Sequence, residues 1–337
     1  MLGICLFGSG RMAHVYGPAI AAHPGMRLVS VFNPNLASAR EAAEAYGGRA
    51  VGDIETALAD PAVDAVVIAT PTNTHLEYIQ AAAAAGKPML CEKPLDLDMG
   101  RVDQAIAVLK ARPVPFMLAF NRRFDPTVSA LRDAVRAGEV GALHTLTIIN
   151  RDPIPPSVAY ARTSGGYFCD STIHDLDLAR WILGEEPEDV FTSASCMVDP
   201  ELGAIGDVDT AMTVMRTPAG KLCHISNSRR AVYGFDQRIE AFGSEGMLQT
   251  ENVRDIQLKH STSAYMAAQT RPRHFFLERY AEAFTRMIDA FHRMVAKGGE
   301  PPVTVEDGRR ALVLALACGA SMRQRKAIAT GLQGAVA

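Results

Sequence analysis

No two of the six cysteines in this 337-residue sequence have the C-x-x-C spacing of a zinc site or a redox pair. Their scattered positions indicate buried or free thiols in a reducing compartment rather than a disulfide framework. Basic residues are not in excess either, because the formal net charge is -3, and this argues against a nucleic-acid partner. With 48% hydrophobic and 21% charged residues, the composition is that of a globular protein and excludes disorder.

Long hydrophobic runs are also missing. The longest, from Ala311 to Ala320, falls far short of the roughly 20 residues that cross a bilayer. The N-terminal residues lack a basic segment and a cleavage site, so they predict a strand rather than a signal peptide. We therefore expect a cytoplasmic protein with no membrane partner.

The first third of the chain alternates short apolar runs with alanine-rich helical patterns. Unbroken apolar strands of this kind are typical of a parallel sheet that helices cover on both faces. The candidate strands and helices are, in chain order, Leu2–Phe7, His14–Ala22, Arg27–Phe32, Leu36–Tyr46, Ala65–Ala69, His75–Ala85, Met89–Cys91, Val102–Ala111 and Phe116–Ala119. The pattern predicts a doubly wound α/β domain of the Rossmann type over residues 1–122, as the first of two domains.

From residue 123 the chain changes to longer segments with strand character. The candidate strands are Leu143–Asn150, Val190–Met197, Thr210–Arg216, Leu222–Ser228, Arg238–Phe242 and Met247–Thr250. Residues 218–221, Pro-Ala-Gly-Lys, predict a hairpin turn, and helical patterns at Phe275–Ala296 and Glu306–Arg323 close the chain. We expect an α+β domain over residues 123–337, with a large open, mostly antiparallel sheet and helices on one side.

A glycine-rich loop, G-x-G-x-x-A, follows the first predicted strand directly. Gly8 permits a tight turn, Gly10 lets the backbone approach a pyrophosphate, and Ala13 lets the next helix pack closely on the strand. The helix N-terminus then offers N–H groups and a positive dipole to the phosphates. The alternative is a merely structural turn, but the strand-loop-helix context favours a dinucleotide site.

The residue at the end of the second predicted strand bears on the choice of dinucleotide. An acidic residue is expected there to bind the adenosine ribose hydroxyl, but this sequence has Asn33. Asparagine still binds a hydroxyl and does not repel a 2′-phosphate, while Arg11 is placed either to reach that phosphate or to lie on the adenine. The cofactor is therefore predicted to be NAD, with NADP left open.

Three motifs together resemble the Gfo/Idh/MocA oxidoreductases over essentially the whole chain. They are Cys91-Glu92-Lys93-Pro94, the segment from Ala69 to His75, and the segment from Gly165 to Asp175. Within this family the chain is most similar to bacterial myo-inositol 2-dehydrogenases. That likeness rests on three further segments, Asn121–Asp125, Ser228–Asp236 and Phe276–Tyr280.

The resemblance implies an enzyme of inositol catabolism that oxidises a cyclic polyol by hydride transfer to NAD(P), with myo-inositol going to the 2-keto inositol. It also implies a homodimer or homotetramer built on the open sheets. One alternative is a dehydrogenase of another inositol isomer or a cyclic sugar. A second is a non-catalytic ligand sensor on the same fold, against which the retention of Lys93, Asp170 and His174 argues.

These three residues also suit the chemistry of alcohol oxidation. Asp170 and His174 are four residues apart, so on a helix they share one face. A histidine titrates near neutral pH and can take the hydroxyl proton, while a nearby carboxylate orients its ring. Lys93 follows a Rossmann strand, where its ammonium can stabilise developing alkoxide charge. No metal is needed.

The remaining candidates bind cofactor or substrate. The predicted cofactor residues are Gly8, Ser9, Gly10, Arg11, Met12, Asn33, Thr70, Pro71, His75 and Glu92. The predicted substrate residues are Asp152, Tyr233 and Arg123. Each substrate residue has a structural alternative: a turn before proline for Asp152, sheet packing for Tyr233 and a brace at the domain boundary for Arg123. For His75 the alternative is packing at a helix start.

Overall fold

The computed structural model describes residues 1–336, and its first sheet is six-stranded and parallel. The strands are β1 (Leu2–Phe7), β2 (Met26–Phe32), β3 (Arg49–Val51), β4 (Ala65–Ile68), β5 (Met89–Cys91) and β6 (Phe116–Leu118). Their order, β3-β2-β1-β4-β5-β6, reverses direction between β1 and β4. In such sheets ligands bind beyond the carboxyl ends of the strands at the point of reversal. The Rossmann prediction is confirmed, and β3 is a short strand that the sequence pattern did not reveal.

Five helices connect these strands. They are α1 (Ala13–Ala22), α2 (Leu36–Tyr46), α3 (Ile54–Ala59), α4 (His75–Ala84) and α5 (Met99–Ala111). Side-chain caps define several of their starts: Asn35 accepts from the backbone N–H groups of Ala37 and Ser38, and Asp98 accepts from that of Arg101. Every residue of β4 is buried, as expected for a strand covered on both faces.

The second sheet has seven strands and belongs to a different part of the chain. The elements between residues 126 and 279 are α6 (Pro126–Arg136), β7 (Leu143–Arg151), α7 (Val158–Ala161), α8 (Ile173–Leu183), β8 (Asp189–Ser195), α9 (Pro200–Ala204), β9 (Thr210–Arg216), β10 (Leu222–Ser228), β11 (Asp236–Gly243), β12 (Met247–Gln249), β13 (Lys259–His260), β14 (Ala268–Gln269) and α10 (Phe276–Arg279). The chain ends with α11 (Ala281–Lys297), α12 (Val305–Gln324) and β15 (Ile328–Ala329).

The order of the second sheet is β12-β11-β7-β10-β9-β8-β15. The β7–β10 pair is parallel and the other pairs are antiparallel, which confirms a mostly antiparallel sheet. The predicted hairpin turn joins β9 to β10, with the N–H of Thr217 donating to the carbonyl of Lys221 at 3.0 Å. One face of this sheet carries exposed apolar side chains, which we call the open face. It consists of Phe191, Met212, Val214, Leu222, Phe242 and Met247.

The chain forms two compact units. Unit 1 comprises Met1–Phe124 and Glu282–Leu312, and unit 2 comprises Asp125–Ala281 and the segment from Val313 onward. The sequence division at residue 122 assigned 282–312 to the second domain, whereas here it clusters with the first. The reason is packing: α11 buries Phe284, whose ring lies edge-on to that of Tyr16 with centroids 6.3 Å apart. None of the helices among residues 1–336 is long and apolar enough to cross a membrane.

Candidate active site residues

The glycine-rich loop of unit 1 has the geometry that its sequence predicts. Gly8 has a φ of +101°, and a Cβ added to it would lie 2.5 Å from the carbonyl oxygen of Ala69. Only glycine therefore fits there without strain. Ala13 is completely buried, so the start of α1 packs closely on the sheet.

The surroundings of this loop fit a dinucleotide. A Cβ added to Gly10 would meet no atom within 4 Å, so the space beside this backbone is open. The first turn of α1 contains no acidic residue that would oppose a phosphate, and Met12 stands at its N-cap. Arg11 is exposed beside it.

Asn33 joins the end of β2 to the glycine-rich loop. Its Nδ2 donates to Ser9 Oγ at 2.7 Å, and its Oδ1 accepts from the backbone N–H of Asn35 at 2.9 Å. The side chain is thus held at the carboxyl end of β2, where a ribose-binding residue is expected.

His75 fastens the loop after β4 to the loop after β5. Its Nδ1 lies 2.9 Å from the carbonyl oxygen of Pro94, and its Nε2 lies 3.0 Å from that of Thr70. The ring is buried, and burial lowers the pKa of His75. Thr70 also accepts a hydrogen bond from Thr74, and Pro71 begins the turn between them. Contact of these residues with the cofactor stays a prediction.

Glu92 ties the Lys93 loop to α1. The buried carboxylate accepts from the hydroxyl of Tyr16 at 2.5 Å and from the backbone N–H of Lys93 at 3.1 Å. Burial raises the pKa of Glu92. Burial also raises the pKa of Tyr16, and the neighbouring Glu92 raises it further. Lys93 itself is half-buried.

Tyr16 was not among the residues predicted from the sequence. It lies on the buried stripe of α1 with Ala13 and Ile20. A tyrosine on such a stripe needs a hydrogen-bond partner for its hydroxyl, and that requirement is the signal that could have revealed it.

Arg123 is deeply buried in unit 1. Its side chain is 3% exposed, and its Nη2 lies 3.0 Å from Asp307 Oδ1. This ion pair favours the bracing role that the sequence left open. Substrate contact by Arg123 stays a prediction.

In unit 2, Asp170 and His174 lie where one type of helix changes to another. Residues Phe168–Thr172 form a π-helical turn that contains Asp170, and His174 is in the first turn of α8. The sequence predicted a regular helix through both. Such π turns inside helices are frequent at functional sites. Both side chains are half-buried.

A single guanidinium brings two predicted site residues together. Arg229, directly after β10, places Nη2 2.9 Å from Asp170 Oδ2 and Nη1 3.3 Å from Asp152 Oδ2. Its guanidinium carbon lies 4.6 Å from the centre of the Tyr167 ring. The hydroxyl of Tyr160 donates to Asp170 Oδ1 at 2.8 Å. We call these five residues the Arg229 cluster.

Arg229 stays protonated although the residue is only 5% exposed. Burial lowers the pKa of Arg229, but Asp170 and Asp152 raise it by more, so the net shift is upward. Arg229 lies in the segment Ser228–Asp236, but the sequence alone predicted no role for it. The β7–β10 pairing places Ser228 opposite Arg151, so Arg229 and Asp152 follow neighbouring strand ends. This proximity becomes visible only once the pairing of the two strands is known.

A buried carboxylate anchors the helix turn that carries His174. Asp175 is completely buried, and its Oδ2 accepts from Asn150 Nδ2 at 2.7 Å and from Asn227 Nδ2 at 2.9 Å. Thr172 donates to Asn227 Oδ1 at 3.1 Å. The first turn of α8 is thereby fixed to β7 and β10.

Tyr233 belongs to another polar set in unit 2. Its hydroxyl donates to Asp236 Oδ2 at 2.7 Å and accepts from Arg151 Nη1 at 3.1 Å. Tyr233 is 40% exposed, so part of its ring is accessible to a ligand. Substrate contact by Tyr233 stays a prediction. Among residues 1–336, no group of three or more His, Cys, Asp or Glu residues is arranged to hold a metal ion.

Comparison with known proteins identifies the family. Residues 2–120 match the model of the oxidoreductase family with an NAD-binding Rossmann fold, and residues 128–249 match that of the GFO/IDH/MocA C-terminal domain. The chain is also 42% identical over 327 residues to the inositol 2-dehydrogenase of Rhizobium meliloti strain 1021, covering 96% of this chain and 97% of that protein. The chain belongs to the Gfo/Idh/MocA oxidoreductases. NAD is accordingly its cofactor.

Two more members of the family are similar along the whole length. The myo-inositol 2-dehydrogenase of Thermotoga maritima is 41% identical over 326 residues, covering 96% of this chain and 97% of that protein. The crystal structure of the scyllo-inositol dehydrogenase from Lactobacillus casei with bound NAD(H) and scyllo-inositol superposes with a TM-score of 0.90. It covers 98% of this chain and all of that one at 25% identity.

Proposed function

We propose that this Gfo/Idh/MocA oxidoreductase oxidises a ring hydroxyl of myo-inositol to a ketone with NAD. The observation that carries the proposal is the Arg229 cluster, in which two carboxylates, Asp152 and Asp170, share one buried guanidinium. Polyol hydroxyls are hydrogen-bond donors. Carboxylates, which are ionised at neutral pH, accept strong hydrogen bonds from them. The choice of inositol among polyols follows the relatives that are named inositol dehydrogenases.

In this proposal His174 is the general base. It removes the proton from the hydroxyl that reacts, and the anchored Asp175 beside it keeps the helix turn in place. Lys93 donates a hydrogen bond to the same oxygen and stabilises its developing negative charge. NAD, when bound, accepts the hydride.

Residues of unit 1 would hold the cofactor. The open backbone at Gly10 and the N-terminus of α1 suit the pyrophosphate. Asn33 suits a ribose hydroxyl, and because it has no charge it does not repel the 2′-phosphate of NADP. We therefore expect NAD to be preferred by a modest factor only.

We further propose a cytoplasmic homodimer or homotetramer that forms through the open face. Six exposed apolar side chains lie together on one sheet face, and apolar patches on a protein surface often mark interaction sites. All six cysteines are free, as expected for a reducing compartment. Light scattering of the purified protein at several concentrations measures the assembly.

A substrate panel tests the proposed activity. Formation of reduced nicotinamide is followed by absorbance with myo-inositol, scyllo-inositol, glucose, ethanol and lactate, each with NAD and with NADP. We expect myo-inositol with NAD to give the highest kcat/KM, with ethanol and lactate far lower. The His174→Asn variant is the control that should abolish the signal.

Each other outcome has a definite meaning. Equal rates on ethanol and myo-inositol would refute the proposal. Turnover of glucose alone would make the protein an aldose dehydrogenase. Binding of a polyol without any turnover would make it a ligand sensor.

A further inference from the structure

We propose that Arg229 is a positioning residue that sets which inositol isomer the enzyme accepts. In this inference, which rests on the proposed function, Arg229 fixes the spacing of Asp152 and Asp170 and keeps both ionised. The two carboxylates then form one rigid pair of acceptors for two ring hydroxyls.

A guanidinium is planar, and its terminal nitrogens have fixed positions, so two carboxylates bound to Nη1 and Nη2 are held at a fixed separation. The 2.9 Å and 3.3 Å distances to Asp170 and Asp152 place both within range of this one group. Tyr167 stacks on the guanidinium at 4.6 Å and restricts its rotation.

The two carboxylates come from separate segments of the backbone. Asp152 is tied to the end of β10 through its main chain, because its N–H donates to Ser228 at 2.9 Å and its carbonyl accepts from Ala231 at 2.7 Å. Asp170 comes from a separate segment, the π-helical turn, and reaches the same strand end through its side chain. Arg229 thus links the two segments and helps to set the position of one carboxylate against the other.

Two carboxylates near each other repel, and one of them tends to take up a proton unless a positive charge lies beside both. Arg229 is buried and lies 3.3 Å from Asp152 and 2.9 Å from Asp170, so its positive charge favours the ionised form of both carboxylates. Two fixed acceptors recognise two hydroxyls at one relative orientation.

Selectivity follows from this rigidity. Inositol isomers differ in whether a given hydroxyl is axial or equatorial, so an isomer of the wrong configuration leaves one carboxylate without a substrate hydroxyl as donor. A half-buried carboxylate that loses this hydrogen bond is not fully compensated by water, and sites of this kind reject such analogues. Because Asp170 lies in the helical run that leads to His174, the same contact also decides which hydroxyl faces the base.

The neighbouring arginine provides a matched control. Arg230 is exposed, and its backbone N–H bonds to Ser228 Oγ. Arg229→Lys and Arg229→Gln are compared with Arg230→Lys and Arg230→Gln. For each protein the melting temperature, the KM for NAD and the kcat and KM for myo-inositol and scyllo-inositol are measured between pH 5 and 10.

We expect Arg229→Lys to lower kcat/KM for the preferred isomer by about 10- to 100-fold, the effect of losing one hydrogen bond between charged groups. The KM should change more than kcat, and the ratio between isomers should approach one. In Arg229→Gln the acid limb of the kcat/KM profile should move to higher pH, because the carboxylates lose their positive neighbour. The KM for NAD should stay unchanged.

Two results would overturn the inference. One is a retained isomer ratio in a folded Arg229→Lys enzyme, and the other is an equal effect of the Arg230 variants. If Arg229→Gln does not fold, Arg229→Lys alone decides. A wild-type enzyme that oxidises neither isomer would refute the proposed function instead, so the two failures are distinguishable.

Discussion

Carboxylates in the two units are stabilised in opposite ways. In unit 1, Glu92 accepts from the neutral hydroxyl of Tyr16 and a backbone N–H, and burial raises its pKa. In unit 2, Asp152 and Asp170 share the charged Arg229. The Lys93 loop is thus fastened by neutral hydrogen-bond donors, whereas the two carboxylates of the Arg229 cluster share a buried cation. Substitutions and pH should therefore act differently on the two regions.

The largest effect is expected from one residue of each unit, Lys93 and His174, to which we assign the chemistry. Lys93→Ala or His174→Ala should lower kcat by roughly 10²–10⁴, because each removes a group that we propose to act on the reacting oxygen. Binding of NAD, measured by calorimetry, should survive in both variants. Near-normal turnover in either would remove that residue from the mechanism.

A smaller effect is expected from the predicted substrate residues of unit 2, Asp152 and Tyr233. Asp152→Ala should raise the KM for myo-inositol by about 10- to 100-fold with a lesser change in kcat, because it removes a binding acceptor. Tyr233→Phe should raise KM by less, since its hydroxyl already bonds Asp236 and Arg151. Steady-state kinetics on myo-inositol measure both. A fall in kcat at constant KM would contradict a binding role.

Loss of the hydrogen bond between Tyr16 and Glu92 in unit 1 should lower the stability of the protein. Tyr16→Phe removes a hydrogen bond to a buried carboxylate and should lower the free energy of unfolding by about 1–3 kcal/mol. Loss of this donor raises the pKa of Glu92 further above its ordinary value of 4.5. A carboxyl group with a raised folded pKa loses stability as pH rises from its unfolded pKa through its folded pKa. The deficit should therefore be small at pH 5 and larger at pH 8.

Urea unfolding at both pH values measures this deficit. Tyr46→Phe is the control, because Tyr46 bonds the exposed side of α1 at His14 rather than a buried carboxylate. A deficit that does not change with pH would show that the Tyr16 hydroxyl does not act through the ionisation of Glu92.

The smallest effect concerns the cofactor. Asn33→Asp should raise the ratio of kcat/KM for NAD over NADP by about tenfold, because a carboxylate repels the 2′-phosphate. Asn35→Asp, two residues away at the cap of α2, adds the same charge and should change the ratio less. An unchanged ratio in Asn33→Asp would show that residue 33 does not face the ribose.

Local patterns predicted much of the fold. The apolar runs of β1 and β5 and the turn at Gly8 were predicted in place, because burial on both faces and a positive φ leave direct traces in sequence. The turn between β9 and β10 was predicted for the same reason. The three-residue β3 was missed although β5 is equally short, because β5 is buried throughout, whereas in β3 only Val51 is buried and Arg49 is exposed.

The parts that were not predicted depend on contacts distant in sequence. Tyr16 meets Glu92 across 76 residues, and Arg229 meets Asp152 across 77. Neither pairing leaves a periodic pattern along the chain. The π-helical turn at Asp170 also differs from the regular helix that the four-residue spacing suggested.

Unit 1 consists of two stretches, Met1–Phe124 and Glu282–Leu312, and this affects its synthesis. On the ribosome, the six strands emerge long before the residues of α11 that cover Tyr16. Unit 2 residues 125–281 must pass in between. The nucleotide-binding unit therefore cannot complete its core until most of the chain has been translated, and its nascent form leaves apolar surface for chaperones to shield.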